Sequence, residues 1–506
     1  MSIFRSIEAH ALRAPEKTAI VAGGERISYS ELLQKVNRLA GALNGLGLKR
    51  GDRLALLMHN CPEFIISFYG AMKLGLITVS LNVMYKEDEV SYILEHSQPK
   101  ALIVHEDYLP VVDGIETVQK GRLQKVVLCR TGAEEGEDNS FQGLLNRSLE
   151  DHPAVDPGPN GKAVIAYTSG TTGFPKGAVH THENILLHLE GIRNHLGFNS
   201  EDVFLAALPF FQLVAFLIHP GLALTLGATV VVLDRFEPKV FLQAVKDEGV
   251  TFFGAVPTIY HMLYAAASEM EVDLSKVRFG ICAGSPLAVE LRQQFEERFR
   301  FRIIHCYGMT EISLIAACES PAWEPKGISV GHVMPYIRLR ILRDDGDEAR
   351  EGEVGEIQIG EERALQGYWR SPTETAEALR DGWFATGDMG LFDEEGHLYI
   401  VDRKKDMIIR GGFNVFPAEI ERVLLEDPRV EEVAVIGIPH DRLGEVPKAF
   451  VVLKQGADAT EQELVDLSRS KLAHFKALAE VSFVDSGFFP RNALGKILKT
   501  ALRTQG

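Results

Sequence analysis

The sequence predicts an α/β fold, and three observations carry that expectation. Runs rich in Val, Ile and Leu alternate with segments whose apolar residues recur at helical spacing. The apolar runs then enter glycine-containing loops, the texture of parallel sheets covered by helices on both faces. Past about residue 320 the pattern changes to short segments joined by acidic turns, which reads as antiparallel.

Taken in order, the N-terminal MSIFRSIEAHALRAPEK lacks the apolar core of a signal peptide and predicts a short surface helix. In residues 27–43, Ser28 and Glu31 form a capping box, and Leu32, Val36, Leu39, Ala40 and Leu43 share one helical face. RLALLMHN (53–60) predicts a strand, CPEFIISFYGAMKLG a helix, ITVSL a strand, EDEVSYILEHS a helix and KALIVH a strand. The alternation resumes in AVIAYTSG (163–170), VTFFGAVP (250–257), KVRFGICAG (276–284) and FRIIHCYG (301–308). LVAFLIHPGLALTLGATVVVL (213–233) has the length of a membrane span. His219, Pro220, Gly221 and Gly227 punctuate it, so a buried helix followed by a buried strand is expected. RLRILRDDGDEAREGEVGEIQIG predicts an antiparallel pair, and HLYIVDRKKDMIIRGG (397–412) a second. Pro417 can open a helix through AEIERVLLED, after which VEEVAVIGI alternates again. The charged break DRKKD (402–406) is the expected domain boundary, dividing 1–402 from 403–506.

Composition narrows the function. A net charge of −17 over 506 residues argues against nucleic acid as the partner, and no segment suggests integral membrane association. The charge is uneven: residues 403–506 carry 16 basic against 15 acidic side chains, so the acidity lies in the first 402. Five cysteines without a CxxC pair suggest neither a disulfide framework nor a zinc site, and a reducing, cytoplasmic location is expected.

The segment TSGTTGFPKG (168–177) stands at a strand end, with GAVHTHENILLHL expected to return as a helix. Glycines there permit turns whose successive N–H groups converge into a nest for anionic oxygens, and hydroxyls and Lys176 add donors. Such runs also occur as plain surface loops. The strand end, the proline and the closing Lys-Gly favour binding, although the spacing is not that of a Walker loop.

TSGTTGFPKG resembles the phosphate-binding signature of the adenylate-forming superfamily, which includes acyl-CoA synthetases, aryl-CoA ligases, luciferases and peptide-synthetase adenylation domains. CAGSPL (282–287), YGMTE (307–311), GYW (367–369), TGD (386–388), DRKKDMIIRGGFNVFPAEIE (402–421) and PRNALGKILK (490–499) follow in the family's order. The resemblance covers essentially the whole chain. It implies a large N-terminal domain of helix-covered mixed or parallel sheets with a β-barrel-like subdomain, and a small mobile α+β C-terminal domain. It also implies a two-step reaction: a small-molecule carboxylic acid and MgATP give acyl-AMP and pyrophosphate, then coenzyme A displaces AMP.

By that resemblance Thr168, Ser169, Gly170, Thr171, Thr172, Gly173 and Lys176 would cradle the β- and γ-phosphates. Glu311 would sit by Mg²⁺, which prefers oxygen ligands, with Thr310 on the α-phosphate. Gly284, Ser285 and Pro286 would line the adenine, Tyr307 would stack on it, and Gly308 and Met309 would continue the nucleotide site. Asp388 would take the ribose hydroxyls with Arg403 assisting. Lys496 would bridge the attacking carboxylate and the α-phosphate. The C-terminal domain would pivot at Lys405, withdrawing Lys496 and bringing Gly411, Gly412, Phe413 and Asn414 to the pantetheine tunnel. Phe211, Gln212, Leu213, Val214, Met309 and Leu314 would line the acyl pocket, which suits a medium or long fatty acid, with an aryl acid as the alternative. Gln212 stands where many relatives carry histidine, and FKALAEV (475–481) lacks a common proline. A luciferase-like oxygenase or a nucleotide-binding regulator are the remaining readings, and the oligomeric state, a homodimer included, is left open.

Overall fold

The computed structural model describes residues 2–119, 123–128, 140–147, 154–158, 160–168, 175–270, 272–411, 413–491, 495 and 497–503. They form two compact units, Met1–Arg338 with Gly360–Phe384, and Leu339–Ile359 with Ala385–Gly506. The charged break at 402–406 falls inside the second unit.

The first unit's early strands are β1 Thr18–Ala22, β2 Glu25–Ser28, β3 Arg53–Leu57, β4 Ile77–Ser80, β5 Ala101–His105, β6 Gln124–Leu128, β7 Lys162–Thr168 and β8 Lys176–Thr181. Its later strands are β9 Val203–Ala206, β10 Thr229–Val232, β11 Phe252–Ala255, β12 Phe279–Cys282, β13 Arg302–Gly308, β14 Ile315–Cys318 and β15 His332–Val333. One sheet runs β6-β5-β3-β4-β7-β8 and the other β15-β14-β13-β12-β11-β9-β10-β1-β2. Most neighbours are parallel, as the strand–helix alternation predicts; β1–β2, β7–β8, β13–β14 and β14–β15 are antiparallel.

Local sequence accounts for these elements. Ser28 accepts the Glu31 amide while the Glu31 carboxylate accepts the Ser28 amide, so the capping box starts the helix Tyr29–Gly45. The apolar helix Pro62–Leu74, buried on nearly every side, ends at Gly75, whose φ of 68° is the left-handed conformation glycine adopts without strain. Residues 213–233 fold as expected into buried helical turns followed by β10. The N-terminal helix Arg5–Arg13 is less superficial than expected, because Ile3, Phe4, Ile7 and Ala11 are buried.

Two local expectations are corrected. GAVHTH does not begin a helix. It forms β8, paired antiparallel with β7 from Lys162↔Thr181 to Thr168↔Lys176, and the helix His182–Leu196 starts only where Thr181 accepts the Asn184 amide. Alternation of Val179 against Ala178 and His180 across two packed faces favours strand here. HLYIVDRKKDMIIRGG is not a hairpin either. Leu398–Arg403 pairs with Trp383–Phe392, whereas Ile408–Arg410 pairs with Phe413–Val415 and touches Gly444–Leu453. A tight turn at Lys404–Asp406 carries the chain from one sheet of the second unit into the other.

The second unit also contains the antiparallel pair Leu339–Leu342 with Gly355–Gly360, as read from the sequence. The long strands Val430–His440 and Gly444–Leu453 form a second sheet with Glu480–Phe483, against which Pro417–Leu425 and Glu461–Lys471 bury Ile420, Leu424, Leu464 and Val465.

Candidate active site

In the first unit the chemistry-bearing residues gather at strand ends, where open parallel sheets place their ligands. Thr168 closes β7, and Lys176 opens β8 opposite it. From the other sheet, β13 ends at Gly308 and leads into a tight turn, Thr310–Ile312. Glycine at 308 is dictated by contact: a Cβ would lie 2.0 Å from the Leu314 carbonyl oxygen. The turn delivers Glu311 between two hydroxyls, with Thr168 Oγ1 at 3.3 Å and Tyr368 Oη at 3.4 Å from one carboxylate oxygen. The Lys176 ammonium lies over the Tyr368 ring, 5.6 Å from its centroid. Burial, then the Glu311 charge, pushes the Tyr368 hydroxyl pKa well up, so that hydroxyl stays protonated and donates. Tyr368 was not among the sequence candidates, although the GYW triplet that contains it was.

Strand order explains the adenine-side residues. β12 and β13 are parallel neighbours with Cys282 opposite His305, so Gly284, Ser285 and Pro286 leave one strand beside the end of the next, where Tyr307 lies buried. Behind them, Arg292 grips the Glu319 carboxylate at 2.9 and 2.7 Å, and the same carboxylate accepts the His305 amide at 2.8 Å. A buried pair so fully hydrogen-bonded fixes the register of β13 against its neighbours.

Leu213 and half-buried Phe211 join Phe64, Phe68, Phe210 and Phe216 around an apolar cavity of about 10 Å³, with Ser80, Val164 and Ala166 completing it. Gln212, Val214 and Met309, half-buried, and fully buried Leu314 are not among its lining residues. Asn60 holds this wall in place, donating to the carbonyls of Leu208 and Leu233 and accepting the Phe210 amide. The aromatic floor escaped the sequence reading because CPEFIISFYG shows helical periodicity, which cannot say what the buried face meets.

In the second unit Asp388, 4% exposed, faces Arg403 across the ladder, with the guanidinium Nε 2.5 Å from the carboxylate. Lys404 pairs with Glu356 at 2.8 Å. Lys405 is exposed, and its carbonyl accepts from Arg503 at 3.0 Å. Gly411 has a φ of 58°, while Phe413 is 56% exposed and stacks on Phe475 at 4.7 Å. On either side of position 496, Arg491 bonds Glu432 at 2.6 and 2.7 Å and Lys499 bonds Glu421 at 2.7 Å. Ser169, Gly170, Thr171, Thr172, Gly173, Gly412 and Lys496 lie outside the described residues.

These strand ends, hydroxyls and carboxylates define a nucleotide-dependent enzyme of the α/β class. Residues 7–369 match the family described as AMP-binding enzyme, and residues 419–496 match its C-terminal domain. The chain belongs to this family. It is 35% identical to a long-chain-fatty-acid–CoA ligase of Bacillus subtilis (strain 168), over 97% of this chain and 92% of that protein. It is 34% identical to a feruloyl-CoA synthase of Amycolatopsis sp, over 97% and 96%. The ATP-bound crystal structure of MatB from Rhodopseudomonas palustris superposes with a TM-score of 0.93 at 30% identity, covering 100% of this chain and 99% of that one. The protein is an AMP-forming acyl-CoA synthetase that uses ATP, Mg²⁺ and coenzyme A. The oxygen-only donor set around Glu311 suits a hard cation. No helix among the described residues is long and apolar enough to cross a membrane.

Proposed function

We propose that the enzyme activates an apolar carboxylic acid, a medium- or long-chain fatty acid, at the aromatic cavity beside Phe211 and Leu213. The observation that supports this reading is the cavity's lining, which contains seven phenylalanine, leucine and valine side chains and no charged group. At about 10 Å³ the space holds no more than one water, so an alkyl chain enters only as Phe64, Phe68 or Phe216 turns aside. An aryl acid is the second reading, favoured by the ring-on-ring packing of Phe64, Phe210 and Phe216 at 5.4 to 5.6 Å.

In the adenylation step, Thr168, Ser169, Gly170, Thr171, Thr172, Gly173 and Lys176 hold the β- and γ-phosphates. Glu311 and the hydroxyl of Thr168 offer the oxygens that hold Mg²⁺, which supplies neutralisation of phosphate charge when bound. Thr310 donates to the α-phosphate. Gly284, Ser285, Pro286, Tyr307, Gly308 and Met309 seat the adenine, and Asp388 accepts from the ribose hydroxyls with its orientation set by Arg403. Lys496 stabilises the charge that develops as the acid's carboxylate attacks the α-phosphate and pyrophosphate departs. In the second step the coenzyme A sulfur bonds to the acyl carbon, the acyl–phosphate bond breaks, and AMP leaves.

Residues 403–506 act as a domain that pivots at Lys405 between the steps. Exposed Phe413, with Gly411, Gly412 and Asn414, then meets the pantetheine arm. Gln212 supplies a neutral amide between the acyl site and the thiol path. The test is carboxylate-dependent ATP–pyrophosphate exchange across a panel of alkyl and aryl acids, without and then with coenzyme A. Exchange strongest with alkyl acids of eight or more carbons is expected; strongest exchange with aryl acids would replace the first reading by the second.

A further inference from the structure

Strand β8 carries more than Lys176. Side chains alternate along it, so Lys176, Ala178 and His180 share one face. On that face Lys176 meets the Tyr368 ring and the His180 Nδ1 lies 2.8 Å from the Ser313 hydroxyl, while the strand's backbone bridges to Tyr368 at Ala178. His180 and Ser313 are both fully buried.

Ser313 closes the turn that presents Glu311, and its φ of 69° with ψ of −44° is a conformation that non-glycine residues rarely adopt. Such a residue persists only where its surroundings fix it. Three contacts do so: its amide donates to the Thr310 carbonyl at 3.0 Å, the Leu314 amide donates across it to the Ile312 carbonyl at 2.9 Å, and its side-chain hydroxyl pairs with His180. The backbone of Thr310 acts on the same imidazole. Burial holds the ring's pKa down at about 3, so it is uncharged throughout the neutral range and its bond to serine does not titrate there. The neighbouring helix strengthens the arrangement: Asn184 donates to the Ala364 carbonyl and His188 bonds the Arg363 carbonyl, four to five residues before Tyr368.

We propose that His180 is a positioning residue for adenylation: by helping to hold Ser313 in its positive-φ turn it sets where the Glu311 carboxylate sits between Thr168 and Tyr368. This assignment goes beyond the binding roles above and rests on the reading of Glu311 as the Mg²⁺-facing acid.

The experiment compares His180→Leu, His180→Asn, His180→Gln, Ser313→Gly and Glu311→Gln in the full-length enzyme, measuring exchange at saturating ATP and acid as Mg²⁺ is titrated, together with melting temperature. His180→Leu should raise the Mg²⁺ needed for half-maximal exchange by roughly fivefold to tenfold, the worth of about one hydrogen bond. Asparagine, whose amide reaches the place of Nδ1, should restore most of the loss, and glutamine should not. Ser313→Gly, which relieves the backbone but removes the hydroxyl, should show the same Mg²⁺ shift, and combining it with His180→Leu should add little. Wild-type Mg²⁺ dependence in Ser313→Gly or His180→Leu, or equal losses in the Asn and Gln variants, would overturn the proposal. Unchanged exchange in Glu311→Gln would instead remove the reading of Glu311 on which it stands. Should His180→Leu fail to fold, Ser313→Gly decides.

Discussion

Around Glu311 the first unit relies on hydroxyls, an uncharged imidazole and backbone groups packed among apolar neighbours, whereas around Asp388 the second unit relies on ion pairs near its surface. The difference teaches what each region is built to do. Hydrogen bonds made by uncharged groups inside a core are insensitive to salt and hold one geometry. An ion pair with a solvent-exposed partner, such as Lys404 with Glu356, is weaker and more sensitive to salt. The first arrangement would suit the proposed phosphate cradle. The second would suit the segment proposed to serve both half-reactions in turn.

The sharpest way to break that comparison is to remove the charge of the second unit that the proposed mechanism places on the reacting carboxylate. Lys496→Ala should lower acid-dependent pyrophosphate release by roughly 10²–10³-fold, the size of losing one preorganised donor, while transfer from preformed acyl-AMP to coenzyme A stays near wild type. Equal loss of both steps would mean the lysine supports structure and not adenylation.

Stiffening the pivot should separate the two steps the other way. Proline at position 405 fixes φ and removes an amide, so Lys405→Pro should cut thioester formation by more than about tenfold and leave exchange within about twofold. The measurement is single-turnover kinetics of each half-reaction, and parallel decline in both would place the pivot elsewhere.

Acid should distinguish the units by a smaller margin. Burial lowers the pKa of His180 to about 3 and those of His182, His188 and His219 to about 4, all in the first unit. Among the described residues no histidine of the second unit is buried. With folded values below the unfolded value near 6.5, the unfolded chain takes up protons first. The stability these residues contribute is therefore full above about pH 6.5 and is lost as pH falls towards the folded values, at about 1.4 kcal/mol per pH unit for each histidine. Calorimetry between pH 7 and 5 should show the first unit's transition moving down more than the second's; the reverse order would show that other groups govern the acid response.

Legibility in the sequence followed the range of the interactions. Elements set by local chemistry were readable, such as the helix that Ser28 and Glu31 cap, or the helix–strand reading of 213–233 that Pro220 and Gly227 forced. GAVHTH was misread because its β pairing partner is the separate strand Lys162–Thr168, and strand propensity is decided by neighbours that periodicity does not see. HLYIVDRKKDMIIRGG was misread for the same reason, since each half finds its partner in a different sheet. Motifs named Thr168, Lys176 and Glu311 in the first unit and Asp388 in the second. Tyr368, His180 and the floor built by Phe64 and Phe68 depend on contacts between segments more than 40 residues apart, for which a single sequence holds no signal.

The central claim is that Glu311 and Thr168 face the metal and phosphates of bound nucleotide. The most direct measurement is a crystal structure with a non-hydrolysable ATP analogue and Mn²⁺, located by its anomalous scattering. The account predicts the ion at about 2.2 Å from a Glu311 carboxylate oxygen, with the β- and γ-phosphates beside Thr168 and Lys176. An ion and triphosphate bound away from both residues would contradict it.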